Sequence, residues 1–213
     1  MTTLSEKRLV LIIRWLYPIW VVLGIFSLLY IPGKFASEDP QLAMEMISSD
    51  PFLFRLGVVG RLLTHLMFIL IPYLLFELFQ KTSRRAAGLM LVWALVSIPI
   101  SMYSEVQKWL VLDVIPDVEA VSQLLAVYAK GLSLSTIFWG LWLFPLGYLV
   151  IKSKGFPKFI GWALYLAGVG YVVGAFLPIL FPDSQELSSL FEYLTFGEMI
   201  FIFWFVIRGM RIE

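Results

Sequence analysis

Six long apolar segments run through this 213-residue chain, and each is long enough to cross a lipid bilayer as a helix. About 20 residues at a rise of about 1.5 Å each span the roughly 30 Å of membrane hydrocarbon. The segments cover residues 9–31, 52–79, 86–103, 132–151, 159–181 and 190–207. Because backbone polar groups inside a bilayer must bond internally, we expect an all-α bundle of six transmembrane helices, in one domain over residues 1–213.

Composition supports membrane residence and excludes several kinds of chemistry. The chain is 60% hydrophobic and 15% charged, with a mean hydropathy of +0.88, whereas a soluble domain is about 45–50% apolar and about 25% charged. Cysteine is absent, which rules out disulfides, thiol catalysis and cysteine-ligated metal clusters. A net charge of +1 creates no field that would attract nucleic acid, so we expect none as a partner.

The charges between the segments predict how the bundle is oriented. Basic residues gather at the amino end, after the second and fourth segments, and at the carboxyl end: Lys7, Arg8, Lys81, Arg84, Arg85, Lys152, Lys154, Lys158, Arg208 and Arg211. The other connections are mainly acidic, with Glu38 and Asp39 in the first and Asp113 and Asp117 in the third. Basic residues favour the cytoplasmic side of short loops, so both termini are expected in the cytoplasm.

The first and third connections are long enough to hold short helices outside the membrane. In the first, Asp39 precedes Pro40, which is typical of an N-cap followed by proline in the first helical turn. The third, residues 104–131, contains Asp113, Pro116 and Asp117, which disfavour a seventh span. We expect an extracytoplasmic helix in each, with residues 118–128 an alternative outward extension of the fourth segment.

One stretch resembles a known family. It reads Phe138-Trp139-Gly140-Leu141-Trp142-Leu143-Phe144-Pro145-Leu146-Gly147-Tyr148, then Lys152-Ser153, Pro157-Lys158, Gly161 and Leu166-Ala167-Gly168-Val169-Gly170-Tyr171, with further likeness at Phe54–Gly57 and Gly197-Glu198. It is similar to a bacterial membrane family catalogued as a domain of unknown function (four-three-eight-six). The resemblance implies a multi-pass, single-domain protein of the bacterial cytoplasmic (inner) membrane, and it implies no activity.

Glycines recur through that stretch and continue to Gly174. Small residues let membrane helices approach closely, and Gly170 and Gly174 are spaced for one such contact on the fifth segment. We interpret these glycines as helix-packing positions, with the approach of a ligand to the glycine backbone as the alternative.

Ionisable residues within the apolar segments are the candidate functional residues, because charges inside a bilayer are costly. Arg55, Arg61 and His65 lie on the second segment, Glu105 follows the third, and Glu192 and Glu198 lie on the sixth. Helix directions and the rise per residue place all six groups in the outer half of the membrane. We expect a charged cavity open to the extracytoplasmic side.

Two interpretations of these charges remain open. In the first, the cavity binds a small polar or amphiphilic, lipid-like ligand, and Arg55 and Arg61 hold an anionic group. In the second, the charges form a buried structural network in which Arg61 pairs with Glu198 and Arg55 extends to the interface.

The sequence also bears on other functions. His65 is the single histidine, so neither a metal site nor a cofactor is expected, since zinc needs three or four protein ligands. An intramembrane enzyme acting on a lipid or lipid-linked substrate is one alternative, with His65 and Glu198 as an acid–base pair. A helical scaffold or partner subunit of a membrane complex is another. The expected partners are the bilayer and a lipid or amphiphile, and a homo-oligomer stays open.

Overall fold

A computed structural model describes residues 5–182 and 185–212, and all regular secondary structure within those ranges is helical. The elements are α1 (Glu6–Gly24), a π-helical segment (Ile25–Tyr30), α2 (Ile31–Phe35), α3 (Pro40–Ser49), α4 (Pro51–Val114), α5 (Val118–Ser153), α6 (Lys158–Leu180), α7 (Gln185–Thr195) and α8 (Gly197–Arg208). The predicted all-α fold is confirmed. Among the residues that the structure describes, five helical stretches are long and apolar enough to cross a membrane.

The longest helix, α4, is a hairpin rather than a rod. Its 64 residues would reach about 96 Å if straight, three times the thickness of the hydrocarbon. Ser83 interrupts it with φ −163° and ψ 103°, and the Ser83 hydroxyl accepts the Ala86 N–H. Arg61 and Glu105, each 22 residues from Ser83, form an ion pair of 3.3 Å. The first arm (residues 51–82) and the second arm (84–114) therefore run side by side.

The first connection holds the short helix that the sequence predicts. In α3, Pro40 occupies the first turn and the Asp39 carboxylate accepts the Gln41 N–H at 2.9 Å. Such a cap satisfies a donor that has no partner within the helix. The prediction of a helix here is confirmed.

The third connection was expected to carry a separate helix, and that expectation is wrong. The second arm of α4 continues to Val114, and α5 starts at Val118, so that three residues connect them. The Asp117 carboxylate caps α5 by accepting the Ala120 N–H at 3.0 Å. Continuous helices satisfy their own backbone bonds, and here the extension of the fourth segment, the alternative, is observed.

The start of α1, the end of α8 and two turns lie at one end of the bundle. Lys81 pairs with Glu6 at 2.8 Å, and the Arg211 N–H donates to the Gly155 carbonyl at 3.0 Å. The Arg14 guanidinium donates to the Val206 carbonyl at 2.6 Å. We call this the basic end, since the predicted basic clusters belong to it, and we call the opposite end, next to α3, the far end.

The core lies between α1, α4, α5, α6 and α8, and the outward faces are apolar. Tyr17, Trp142 and Phe205 are almost fully buried within one cluster. Side chains such as Trp15 and Val22 are 70% and 66% exposed. A surface this apolar on helices this long indicates an integral membrane protein.

Helices α5 and α6 contact each other backbone to backbone through two glycine pairs. A Cβ on Gly140 would lie 2.7 Å from the Gly168 carbonyl oxygen, and one on Gly168 would lie 3.0 Å from that of Gly140. Gly147 and Gly161 make the same reciprocal contact, at 2.9 and 2.8 Å. This packing supports the structural interpretation of the glycines, and Trp139 of α5 contacts Tyr171 of α6 edge to face nearby.

Candidate functional site

A cavity of about 230 Å³ lies between α1, the first arm of α4, α5, α6 and α8. One part of its wall is polar and the rest is apolar or aromatic. The polar part consists of Arg61, Thr64, His65, Tyr171 and Glu198. Counting about 1.5 Å per residue from Ser83, Arg61 lies about 33 Å from the basic end, in the half of the bundle nearer the far end.

Arg61 is the most strongly buried charge in the cavity wall, at 2% exposed. Its Nε lies 3.3 Å from Oε1 of Glu105, and its guanidinium carbon lies 5.3 Å from the centre of the Trp139 ring. Nη2 has no hydrogen-bond partner among the residues that the structure describes. A buried donor without a partner costs about 1–3 kcal/mol, and more when it is charged.

Glu105 is shared between two cations behind the cavity wall. It is 1% exposed and faces both Arg61 and Lys108, which is itself 4% exposed. The Lys108 ammonium lies 5.1 Å from the Tyr128 ring and 5.5 Å from the Phe54 ring, within cation–π range. One carboxylate therefore compensates two buried positive charges.

His65 follows Arg61 by one helical turn and also lines the cavity. It is 3% exposed, and neither ring nitrogen has a hydrogen-bond partner within residues 5–182 and 185–212. The neighbouring Thr64 is fully engaged: its hydroxyl donates to the Gly60 carbonyl, and its own carbonyl accepts the Trp20 indole N–H. Both ring nitrogens of His65 therefore have no protein partner in the described structure, whereas the Thr64 hydroxyl proton is already donated.

Glu198 enters the cavity from the first turn of α8 and is 5% exposed. Its Oε2 accepts the Tyr171 hydroxyl at 3.2 Å. A carboxylate in the first turn of a helix also interacts favourably with the helix dipole. Glu198 is thus held by α6 and by its own helix.

The ion pair between Arg61 and Glu198 that the structural-network interpretation predicted is wrong, because Arg61 pairs with Glu105 instead. Arg55 and Glu192 do not line the cavity, and both side chains are exposed. Depth along a helix was predicted, but the direction in which a side chain points around the helix was not. Arg61, His65 and Glu198 do line one cavity, with Glu105 directly behind it.

Sequence reasoning did not single out the aromatic residues of the cavity wall. These are Trp20, Phe68, Trp139, Trp142 and Tyr171. Trp139, Trp142 and Tyr171 belong to the stretch that carries the family resemblance. Aromatic residues are so frequent in this chain that neither their number nor their spacing marks them as part of a site.

The apolar part of the wall belongs largely to the π-helical segment. Ile25, Leu28 and Leu29 line the cavity there, and Met199 of α8 lines it too. Ile25 is 53% and Leu29 is 68% exposed. Side chains that belong both to the wall and to the outer surface mark an opening toward the surrounding lipid, and π-helical turns are frequent at functional sites.

The cavity wall offers hydrogen-bond donors, a carboxylate and aromatic faces. No group of three or more potential metal ligands occurs in the part of the chain that the structure describes. Ser101 and Ser104, two buried serines on the second arm of α4, do not line the cavity, and the Ser104 hydroxyl donates to the Ile100 carbonyl.

Comparison with known proteins agrees with the resemblance found in the sequence. The model of a family described as Domain of unknown function (DUF4386) matches residues 12–209. The chain belongs to this family. The match includes every residue that lines the cavity.

One relative is a protein of Archaeoglobus fulgidus (strain ATCC 49558) described as "Uncharacterized protein". It is 36% identical over 89 residues, which make up 42% of this chain and 52% of the relative. The alignment thus spans about half the length of that relative. No solved structure matches the chain.

Proposed function

We propose that this protein crosses the bacterial cytoplasmic membrane six times, with both termini in the cytoplasm, and holds a small polar or amphiphilic ligand in a charged cavity. The cavity opens in the extracytoplasmic half. The observation that carries the proposal is Arg61, a buried guanidinium in the cavity wall whose Nη2 has no partner among the described residues. A ligand would satisfy this donor.

The six crossings and their direction rest on the α4 hairpin and on the charges. Each arm of α4 exceeds 30 residues, enough to span about 30 Å of hydrocarbon. The basic end gathers the amino terminus, the Ser83 turn, the α5–α6 turn and the carboxyl terminus. Because basic residues favour the cytoplasmic face, the basic end is cytoplasmic and α3 lies outside.

A purely structural network accounts less well for the same residues. Such a network satisfies its own hydrogen bonds, because buried polar groups without partners are costly. Nη2 of Arg61 and both ring nitrogens of His65 instead have no partner in the described structure, and both residues line a cavity. The Arg61–Glu105 pair joins the two arms of α4 through Nε and does not provide a hydrogen-bond partner for Nη2.

Native mass spectrometry of gently solubilised protein tests the proposal. Wild type is compared with Arg61→Gln, which removes the guanidinium charge and leaves Glu105 to compensate Lys108. Arg55→Gln is the matched control, because Arg55 lies on the same helix but is exposed. We expect one specific mass to be retained by wild type and by the control, and lost in Arg61→Gln.

Two results would contradict the proposal. A mass retained equally by all three proteins would place the ligand outside the cavity. A folded wild type that retains nothing, from any growth condition or added lipid extract, would favour a scaffold or partner subunit instead.

A further inference from the structure

The unpaired polar atoms of the cavity wall are mainly hydrogen-bond donors. Nη2 of Arg61 and Nε1 of Trp142 can only donate, and neither has a partner within the described ranges. Trp142 is 2% exposed and lines the cavity. His65 contributes at least one further N–H. A ligand that satisfies this wall must bring acceptors close together, as an oxyanion does.

The local charge balance favours an anion at the same place. Glu105 faces both Arg61 and Lys108, which leaves one positive charge in excess behind the wall. Glu198, the acidic residue of the cavity wall, already accepts a hydrogen bond from the Tyr171 hydroxyl of α6. An anionic group is therefore expected on the α4 side of the cavity, against Arg61 rather than against Glu198.

The size and the opening of the cavity limit the rest of the ligand. About 230 Å³ is less than the roughly 300–1,000 Å³ of a site for a drug-sized molecule. It admits a head group with a short length of chain. The remainder must leave through the lipid-facing opening beside Ile25, Leu28 and Leu29, where an alkyl chain meets only apolar atoms.

We propose that the ligand is a single-chain amphiphile with an oxyanion head, a carboxylate or a phosphate, bound by Arg61 and Trp142. Its alkyl chain passes between the π-helical segment and α8 into the bilayer. This inference rests on the proposed function and adds the chemical class of the ligand. Arginine suits such a head, because its planar fork pairs with carboxylate and phosphate groups.

Binding of three probes with the same C16 chain tests the inference: hexadecanoate, its methyl ester and hexadecyl phosphate. Quenching of tryptophan fluorescence by brominated forms of each probe reports occupancy, since Trp20, Trp139 and Trp142 line the cavity. We expect wild type to bind an anionic probe at least about tenfold more tightly than the ester. The two anionic probes distinguish a carboxylate from a phosphate head.

Two variants separate the head from the chain. Arg61→Gln removes the excess positive charge and leaves Glu105 to compensate Lys108, so it is expected to bring the affinities for the anionic probes and the ester within about twofold. Arg55→Gln should keep the tenfold preference. Gly24 lines the cavity beside the opening, and a Cβ added there meets no atom within 4 Å. Gly24→Leu is therefore expected to occupy the opening while every charge stays in place. It should weaken binding of all three probes.

The outcomes distinguish this inference from the proposed function. If the ester binds as tightly as the anions, or Arg61→Gln keeps the preference, the oxyanion class is wrong while an amphiphile site stands. If no probe quenches wild type and native mass spectrometry finds no retained mass, both fail.

Discussion

At the scale of single residues, the Arg61–Glu105 ion pair stabilises the fold, because each partner compensates the buried charge of the other. Removing one partner of a buried ion pair costs about 3–5 kcal/mol, because the other charge is left without compensation. Glu105→Ala leaves Arg61 and Lys108 both unbalanced, so we expect a loss of that size in equilibrium unfolding in mixed detergent micelles. Glu192→Ala, at an exposed glutamate, should change stability by less than about 0.5 kcal/mol. Equal effects of the two variants would contradict this assignment.

The sequence revealed which charges are buried better than it revealed their partners. Arg61, His65 and Glu198 could be found because an ionisable group in an apolar segment is rare. The Arg61–Glu105 pairing could not, because it depends on how the helices are rotated about their axes. Trp142 gives no signal of its own, since only the surroundings of its indole distinguish it from an ordinary core tryptophan.

At the scale of elements, the glycine pairs of α5 and α6 make a prediction with an internal control. Gly140→Ala would bring a Cβ to 2.7 Å from the Gly168 carbonyl oxygen, a backbone atom that cannot move alone. Overpacking of this kind costs about 1–3 kcal/mol. Gly174→Ala, with its nearest atom at 3.7 Å, should be neutral or slightly stabilising, because alanine favours helix. Thermal unfolding in detergent measures both, and equal midpoints would show that α5 and α6 do not depend on this contact.

The six apolar segments were predicted as helices, and nearly all of their residues are helical in the structure. What hydropathy could not show was how they join. A single residue, Ser83, separates the arms of α4, and a turn at Phe196 splits the sixth segment between α7 and α8. At that break Gly197 lies against the Ala163 carbonyl of α6. This second joint involves a tertiary contact, which a sliding average of hydropathy does not contain.

At the scale of the whole molecule, the absence of cysteine makes the orientation directly measurable. Ser5→Cys places a single thiol at the basic end, and Ser49→Cys places one at the end of α3, both at exposed positions. In intact cells, a membrane-impermeant maleimide should label Ser49→Cys and should label Ser5→Cys only after the membrane is opened. The reverse pattern would invert the proposed topology and move the cavity to the cytoplasmic half.

The π-helical segment also affects how this protein tolerates changes in length. A π turn closes i→i+5 bonds where an α turn closes i→i+4, so it holds one residue more than the surrounding helix. Deleting one residue within α1 would rotate the helix after the deletion by about 100° relative to the helix before it. Ile31 would then no longer face Gly57. Deleting one residue between Ile25 and Tyr30 would restore a regular helix and keep both flanking faces in register. Natural insertions and deletions in the first membrane-spanning stretch are therefore expected within the π-helical segment. There they would change the shape of the cavity opening and leave the packing of the bundle intact.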